Sequence, residues 1–64
     1  MKEKTINKIL EFITLKGETT PKEISKETKI SYPTVLTYTS VLVAQNKLSE
    51  KRFGNARVLR CVKS

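Results

Sequence analysis

Three arginines and several lysines gather in the last third of the chain, and they are the side chains best suited to bind an anion. Residues 47–64 carry six cationic side chains against a single acid, Glu50, and all three arginines fall between positions 52 and 60. A guanidinium can form paired hydrogen bonds with phosphate oxygens and keeps its charge at any physiological pH. We therefore expect this segment to bind phosphate groups. The seven lysines and five glutamates of residues 1–30 are more simply explained as a solvated surface.

A second group of candidate side chains is small and neutral. Residues 31–46 contain no charged side chain, and Thr34, Thr37 and Ser40 share one side of a helix at 100° per residue. Such a face could approach base edges closely and touch thymine methyl groups or phosphates. The plainer alternative is that these residues fill space in a small helix, and the eight threonines of the chain favour it. Without arginine on this face, the contacts that best discriminate bases are missing, and we expect modest sequence discrimination.

Composition argues against several other classes of function. Six glutamates with no aspartate, no histidine and no glycine-rich phosphate loop leave no acid–base or nucleophilic set, so we expect no enzyme activity. A single cysteine excludes an internal disulfide, and the absence of histidine excludes a Cys/His zinc site, so we expect no metal or cofactor. Cys61 is expected to be a buried small hydrophobe. No apolar run reaches membrane-spanning length and no signal peptide is visible, which predicts a cytoplasmic protein.

The elements that would position these residues can be placed from periodicity and cap signals. A first helix is predicted over residues 2–16, since its isoleucines and Leu10 recur at the spacing of one buried face, and Gly17 suits a left-handed C-cap. A second helix is predicted over residues 21–28. Thr20 would cap it, and Glu23 would complete a capping box with Thr20. A third helix is predicted over residues 32–46, beginning at Ser31.

The remaining residues predict a β-hairpin. Residues 48–62 form two strands around a Gly54-Asn55 turn. In that register the cross-strand pairs are Leu48 with Cys61, Glu50 with Leu59, and Arg52 with Arg57. Two arginines opposite each other would repel, and a phosphate or a minor groove would relieve that repulsion.

Ile24, Ile30, Val35 and Leu42 would form one apolar patch between the second and third helices. Leu15 could fold back onto the core.

These stretches together resemble the winged helix-turn-helix family, in the style of small archaeal and bacterial MarR or ArsR regulators. The resemblance rests on Thr20-Pro-Lys-Glu-Ile-Ser, Ile30-Ser-Tyr-Pro-Thr-Val, Leu42, Asn46-Lys-Leu48 and the basic segment Lys51-Arg-Phe-Gly-Asn-Ala-Arg57. It implies a mainly α fold of three helices with a small antiparallel β-hairpin, spanning residues 1–64 as one domain. It also implies a short strand at Glu18 and Thr19. The turn between the helices often carries glycine at a positive φ where this chain has Lys29, so this turn is either built differently or slightly strained by a positive φ at Lys29.

The resemblance further implies double-stranded DNA as the partner, with the third helix in the major groove. The β-hairpin, which this family calls the wing, would lie on the backbone or minor groove. The candidate DNA-binding residues are Lys22, Ser31, Tyr32, Pro33, Thr34, Thr37, Tyr38, Ser40, Lys51, Arg52, Asn55 and Arg57. Larger family members sense ligands through added domains, and none is visible here, so we expect no small-molecule ligand. A homodimer could form through the Phe12 side of the first helix or the Val41–Val43 end of the third.

Two other classes of function remain open from the sequence. Winged-helix domains also serve as protein-interaction modules, since a fold does not fix a function. The mark of such a module would be an exposed apolar patch without a basic face, and the charge gathered in residues 47–64 argues against it. An enzyme ranks a distant third. A net charge of +7 favours nucleic acid over acidic lipid as the anionic partner, and RNA is not excluded.

Overall fold

Three helices and three short strands lie along residues 2–62, which are the residues described by the computed structural model. The elements are α1 (Glu3–Lys16), β1 (Glu18–Thr19), α2 (Pro21–Thr28), α3 (Tyr32–Ala44), β2 (Leu48–Phe53) and β3 (Ala56–Cys61). The strands form one antiparallel sheet in the order β1-β3-β2. The predicted fold class, three helices with a β-hairpin wing, is confirmed.

The core lies where the three helices meet the inner face of the sheet. Its fully buried side chains come from every helix and from both hairpin strands: Ile9, Ile13, Ile24, Val35, Leu42, Leu48 and Leu59. The predicted apolar stripe of α1 and the predicted patch between α2 and α3 therefore both face this core. Ile30 and Phe12 are half-buried against the edge of this core.

The start of α2 matches its prediction only in part. Thr20 caps the helix, since its hydroxyl accepts a hydrogen bond from the backbone N–H of Glu23 at 3.2 Å. The predicted reciprocal contact from the Glu23 carboxylate is wrong. That carboxylate accepts a hydrogen bond from the hydroxyl of Thr19 at 2.9 Å and pairs with Lys16 Nζ at 3.3 Å. Hydrogen bonds from Thr19 and then Lys16 hold the pKa of Glu23 below its usual value.

The turn between α2 and α3 contains a lysine in a left-handed conformation. Lys29 has φ 61° and ψ 22°, which is the strained of the two alternatives for the position at which glycine is common. The Ser25 hydroxyl donates to the carbonyl of Ile30 at 2.6 Å and so ties the turn to α2. A non-glycine residue pays a steric penalty in this region, on the order of 1 kcal/mol.

Both ends of α3 differ from the sequence-based expectation. Ser31 occupies the N-cap position, but its hydroxyl makes no capping hydrogen bond and donates instead to Thr34 Oγ1 at 2.7 Å. The helix ends at Ala44, two residues before the predicted end, because Asn46 adopts a positive φ of 61°. The N–H groups of Asn46 and Lys47 donate to the carbonyls of Val43 and Leu42 at 3.0 and 2.9 Å. This is a Schellman motif with asparagine in place of glycine.

The hairpin has the predicted register. Leu48 pairs with Cys61, Glu50 with Leu59, and Arg52 with Arg57. Gly54 has φ 60° and Asn55 is not among the residues with positive φ, which is the pattern of a type II′ turn. The strand implied at residues 18 and 19 is present, and Thr19 pairs with Leu59 on β3.

Two predictions about individual side chains are wrong. Leu15 does not fold back onto the core and is 80% exposed, because it lies on the far side of α1 from Ile9 and Ile13. Cys61 is only half-buried, since the inner face of the sheet reaches the edge of the core at that position. Its sulfur lies 3.2 Å from the hydroxyl of Thr14.

Candidate nucleic-acid interface

The outward face of α3 carries the hydroxyl residues, and two of them hydrogen-bond locally. Thr37 is exposed, and its hydroxyl donates to the carbonyl of Pro33 at 3.1 Å. Thr34 Oγ1 accepts a hydrogen bond from the Ser31 hydroxyl, which leaves the Thr34 hydroxyl hydrogen free to donate to a ligand. Ser40 is exposed one turn further along. The face therefore offers two free donors, the hydroxyls of Thr34 and Ser40, with several acceptor lone pairs and threonine methyl groups and without any charge.

The wing, defined here as β2, β3 and the turn between them, carries the candidate cations. Lys51 is exposed, and the Arg52 side chain is 75% exposed. Arg57 is more enclosed, with a side chain that is 26% exposed. Both arginines contact the carboxylate of Glu50, at 3.3 Å from Arg52 Nε and 2.8 Å from Arg57 Nε. The expected repulsion between the two arginines is therefore wrong, because Glu50 lies between them.

The Glu50 carboxylate is itself ordered by these contacts. It is 19% exposed and also accepts a hydrogen bond from Arg57 Nη2 at 3.2 Å. Hydrogen bonding to Arg57 lowers the pKa of Glu50 against an opposing effect of burial, and Arg52 lowers it further. Glu50 is the residue of the candidate site that the sequence reasoning missed. A signal was present, since Glu50 shares the strand face of Arg52 and is the diagonal neighbour of Arg57.

One cleft lies between the wing and the helix-turn-helix, which is formed by α2, α3 and the turn between them. It measures about 390 Å³, and four candidate residues line it together with Thr20, Pro21 and Ala56: Lys22, Tyr32, Asn55 and Arg57. The N-terminal turns of α2 and α3 form one wall, and the tip of the wing forms the other. The cleft therefore brings an ammonium, a phenol, an amide and a guanidinium to one opening, a combination that can bind an oxyanion.

The other candidate residues lie outside this cleft. Ser31, Pro33, Thr34, Thr37 and Ser40 follow the outward face and the start of α3. Arg52 contributes to a different depression, beside Val43 and Asn46 at the C-terminal end of α3. Tyr38 packs against the core, and its hydroxyl accepts a hydrogen bond from the backbone N–H of Lys2 at 3.3 Å. This side chain holds α1 against α3 instead of extending from the outward face.

Within residues 2–62, no three side chains of cysteine, aspartate or glutamate come together in a way that could hold a metal ion. None of the helices in that range has the length and apolar character needed to cross a membrane.

Comparison with known families assigns the chain to a class. The sequence model of the winged helix-turn-helix DNA-binding family matches residues 2–49, three quarters of the chain. The protein therefore belongs to the winged helix-turn-helix family of DNA-binding domains, and DNA binding is the function that this class defines. The match covers all three helices and β1, and it ends just after the start of β2. A comparison with curated proteins found no match.

Proposed function

We propose that the protein regulates transcription by binding double-stranded DNA, with α3 in the major groove and the wing on the neighbouring backbone or minor groove. The observation that carries this proposal is the cleft in which Lys22 and Tyr32 face Asn55 and Arg57. A phosphate bound there would be contacted from the helix-turn-helix and from the wing at once. Such a contact would fix how α3 enters the groove, because phosphate contacts set register and orientation.

The two parts of the interface would then do different work. Lys51, Arg52 and Arg57 carry fixed charge and would supply affinity that depends little on sequence. The outward face of α3 carries no charge and would supply the preference between sites, through Thr34, Thr37 and Ser40. Ser31, Pro33 and Tyr32 lie at the start of α3, where a recognition helix meets base edges and backbone. Tyr38 is assigned to packing.

A single domain of this size has a small footprint on DNA, and we propose that two copies bind together about a two-fold axis. Of the two predicted contact surfaces, the outer side of α1 has the more exposed apolar side chain, Leu15 at 80%. Leu15 shares a depression with Phe12 and the charged residues Lys8, Glu11 and Glu27. Val41 and Val43 at the end of α3 are half-buried and offer less apolar surface.

The proposal can be tested by measuring duplex affinity against salt concentration, with fluorescence anisotropy on a random duplex and on a duplex selected for tight binding. Arg57→Ala should weaken binding to both duplexes, and the slope of log affinity against log salt should fall by roughly 0.9 for each bound copy, the value of one phosphate contact. The matched control is Lys4→Ala, which removes the same charge from the exposed first turn of α1, outside the depression around Leu15, and should leave the slope unchanged.

Two results would contradict the proposal. If Arg57→Ala left the duplex affinity and its salt slope unaltered, the wing would not be part of the DNA interface. A wild-type protein without salt-dependent duplex binding would favour the protein-interaction class instead.

The dimer has its own test, which is sedimentation of the free protein and of the complex. A one-to-one complex on the selected duplex would exclude two-fold binding.

A further inference from the structure

Phe53 is a large apolar side chain at the tip of the wing. It is the last residue of β2, directly before Gly54, and it is 61% exposed. Its partner across the hairpin is Ala56, which offers only a methyl group. Strand alternation puts Phe53 on the face opposite to Leu48 and Glu50, so it points away from the core. Phe53 therefore adds nothing to the packing of the domain.

The surroundings of Phe53 are cationic. Lys51 precedes it on the same face of β2, and the neighbouring Arg52 side chain is 75% exposed. The acid of the wing, Glu50, is already held by two arginines. An aromatic ring at the tip of a narrow hairpin, with exposed cations behind it, has the chemistry of a side chain that enters a nucleic acid groove. The cations would meet the phosphates on the rim while the ring meets the bases.

We propose that Phe53 is a wedge that inserts from the minor groove between two stacked base pairs and kinks the duplex. This inference rests on the proposed duplex binding and adds to it a second source of site preference. Unstacking costs least at pyrimidine–purine steps such as TA and CA, so these steps would be favoured under the wing. The preference would come from the deformability of the DNA, without hydrogen bonds to base edges. It would complement the uncharged face of α3.

The test places 2-aminopurine, whose fluorescence rises when it is unstacked, at successive steps of the selected duplex. Wild-type protein should raise the fluorescence at one step for each bound copy, and replacing that step by a stiff AA step should weaken binding. Phe53→Ala should abolish the fluorescence rise and weaken binding roughly tenfold, the scale of one aromatic–base contact, with the salt slope unchanged. Phe53→Trp should keep both properties.

Val62→Ala is the matched control, since it removes another exposed apolar side chain, just after the end of β3 and far from the tip of the wing. It should change neither fluorescence nor affinity. The wedge is overturned if Phe53→Ala binds and unstacks DNA like wild type, or if the variant loses more affinity for single strands than for duplex. It is also overturned if Phe53→Ala changes only the sedimentation of the free protein, which would make Phe53 a contact between copies. Absence of salt-dependent binding by the wild type would reject the proposed function itself, whereas retained binding with no unstacking rejects only the wedge.

Discussion

Arg57 and Glu50 form a bidentate ion pair across the wing. Arg57 Nε lies 2.8 Å from Glu50 Oε1, and Arg57 Nη2 lies 3.2 Å from Glu50 Oε2. The pair fixes the plane of the guanidinium and occupies two of its three nitrogens, which leaves Nη1 to meet a ligand. Arg57 is therefore a positioned donor at the edge of the cleft and not a freely moving cation. The same carboxylate also lowers the net charge that the wing presents to DNA.

The first prediction follows from this second effect. Glu50→Gln removes a negative charge close to the proposed path of the phosphates and keeps an amide oxygen that can accept one hydrogen bond from Arg57. We expect tighter binding to random and selected duplexes and a steeper dependence on salt, measured by anisotropy. Glu18→Gln is the matched control, because Glu18 also pairs with an arginine of β3, Arg60, at 3.5 Å. Weaker binding by Glu50→Gln would mean that the orientation of Arg57 matters more than the charge.

The second prediction concerns the stability of the fold against pH. The pKa of Glu50 is lowered from 4.5, chiefly by Arg57, so the folded state favours the ionised carboxylate. Its stabilising contribution is present above pH 4.5 and is lost as the pH falls through the lowered pKa of the folded state. The difference in melting temperature between wild type and Glu50→Gln should therefore be largest near neutral pH and narrow below pH 4.5. A difference that stays constant down to pH 2 would show that the carboxylate charge does not stabilise the fold.

The third prediction concerns the turn of the helix-turn-helix. Lys29 has φ 61°, and glycine adopts this conformation without the steric penalty of a side chain. Lys29→Gly should stabilise the domain by up to about 1 kcal/mol, since relief of strain exceeds the added freedom of the unfolded chain. In a domain of this size that corresponds to roughly 4–8 °C in melting temperature.

The control for Lys29→Gly is the same substitution three residues earlier. Lys26 lies inside α2, where glycine costs on the order of 1 kcal/mol, so Lys26→Gly should lower the melting temperature. Equal losses in both variants would contradict the strain at Lys29.

The register of the wing could be predicted because local chemistry determines it. A two-residue turn at Gly54 and Asn55 fixes every cross-strand pair, and alternation then assigns Leu48 and Leu59 to the core. The buried stripe of α1 was likewise visible as a spacing of Ile9 and Ile13. Such features depend on residues close in sequence or on a simple period.

The features that sequence reasoning missed depend on side-chain choices among several possible partners. The carboxylate of Glu23 could have bonded the backbone of Thr20, but Thr19 and Lys16 hold it instead. The end of α3 depends on whether Asn46 adopts a left-handed conformation, which asparagine can accept but does not require. In the candidate site, the sequence indicated a basic wing but not the contact of Glu50 with its arginines.

The last prediction separates two ways in which α3 could discriminate between DNA sites. The Thr37 hydroxyl already donates to the Pro33 carbonyl, so its methyl group is the part that is fully available to DNA, and a thymine methyl is its natural partner. Thr37→Ser removes the methyl group and should reduce the preference between selected and random duplexes by about 1 kcal/mol, at the low end for a base contact. Thr37→Val keeps a methyl group and should retain most of the preference.

Neither substitution at Thr37 changes charge, so both variants should keep the wild-type dependence of affinity on salt. Competition anisotropy with both duplexes, repeated with thymine replaced by uracil at each selected position, would identify the contacted methyl group. Thr37→Ser should be insensitive to the one replacement that weakens wild-type binding. The reverse pattern, with preference kept by Thr37→Ser and lost by Thr37→Val, would mean that the lone pairs of the hydroxyl accept a hydrogen bond from adenine or cytosine. The contact of Thr37 with Pro33 would then orient an acceptor instead of freeing a methyl group.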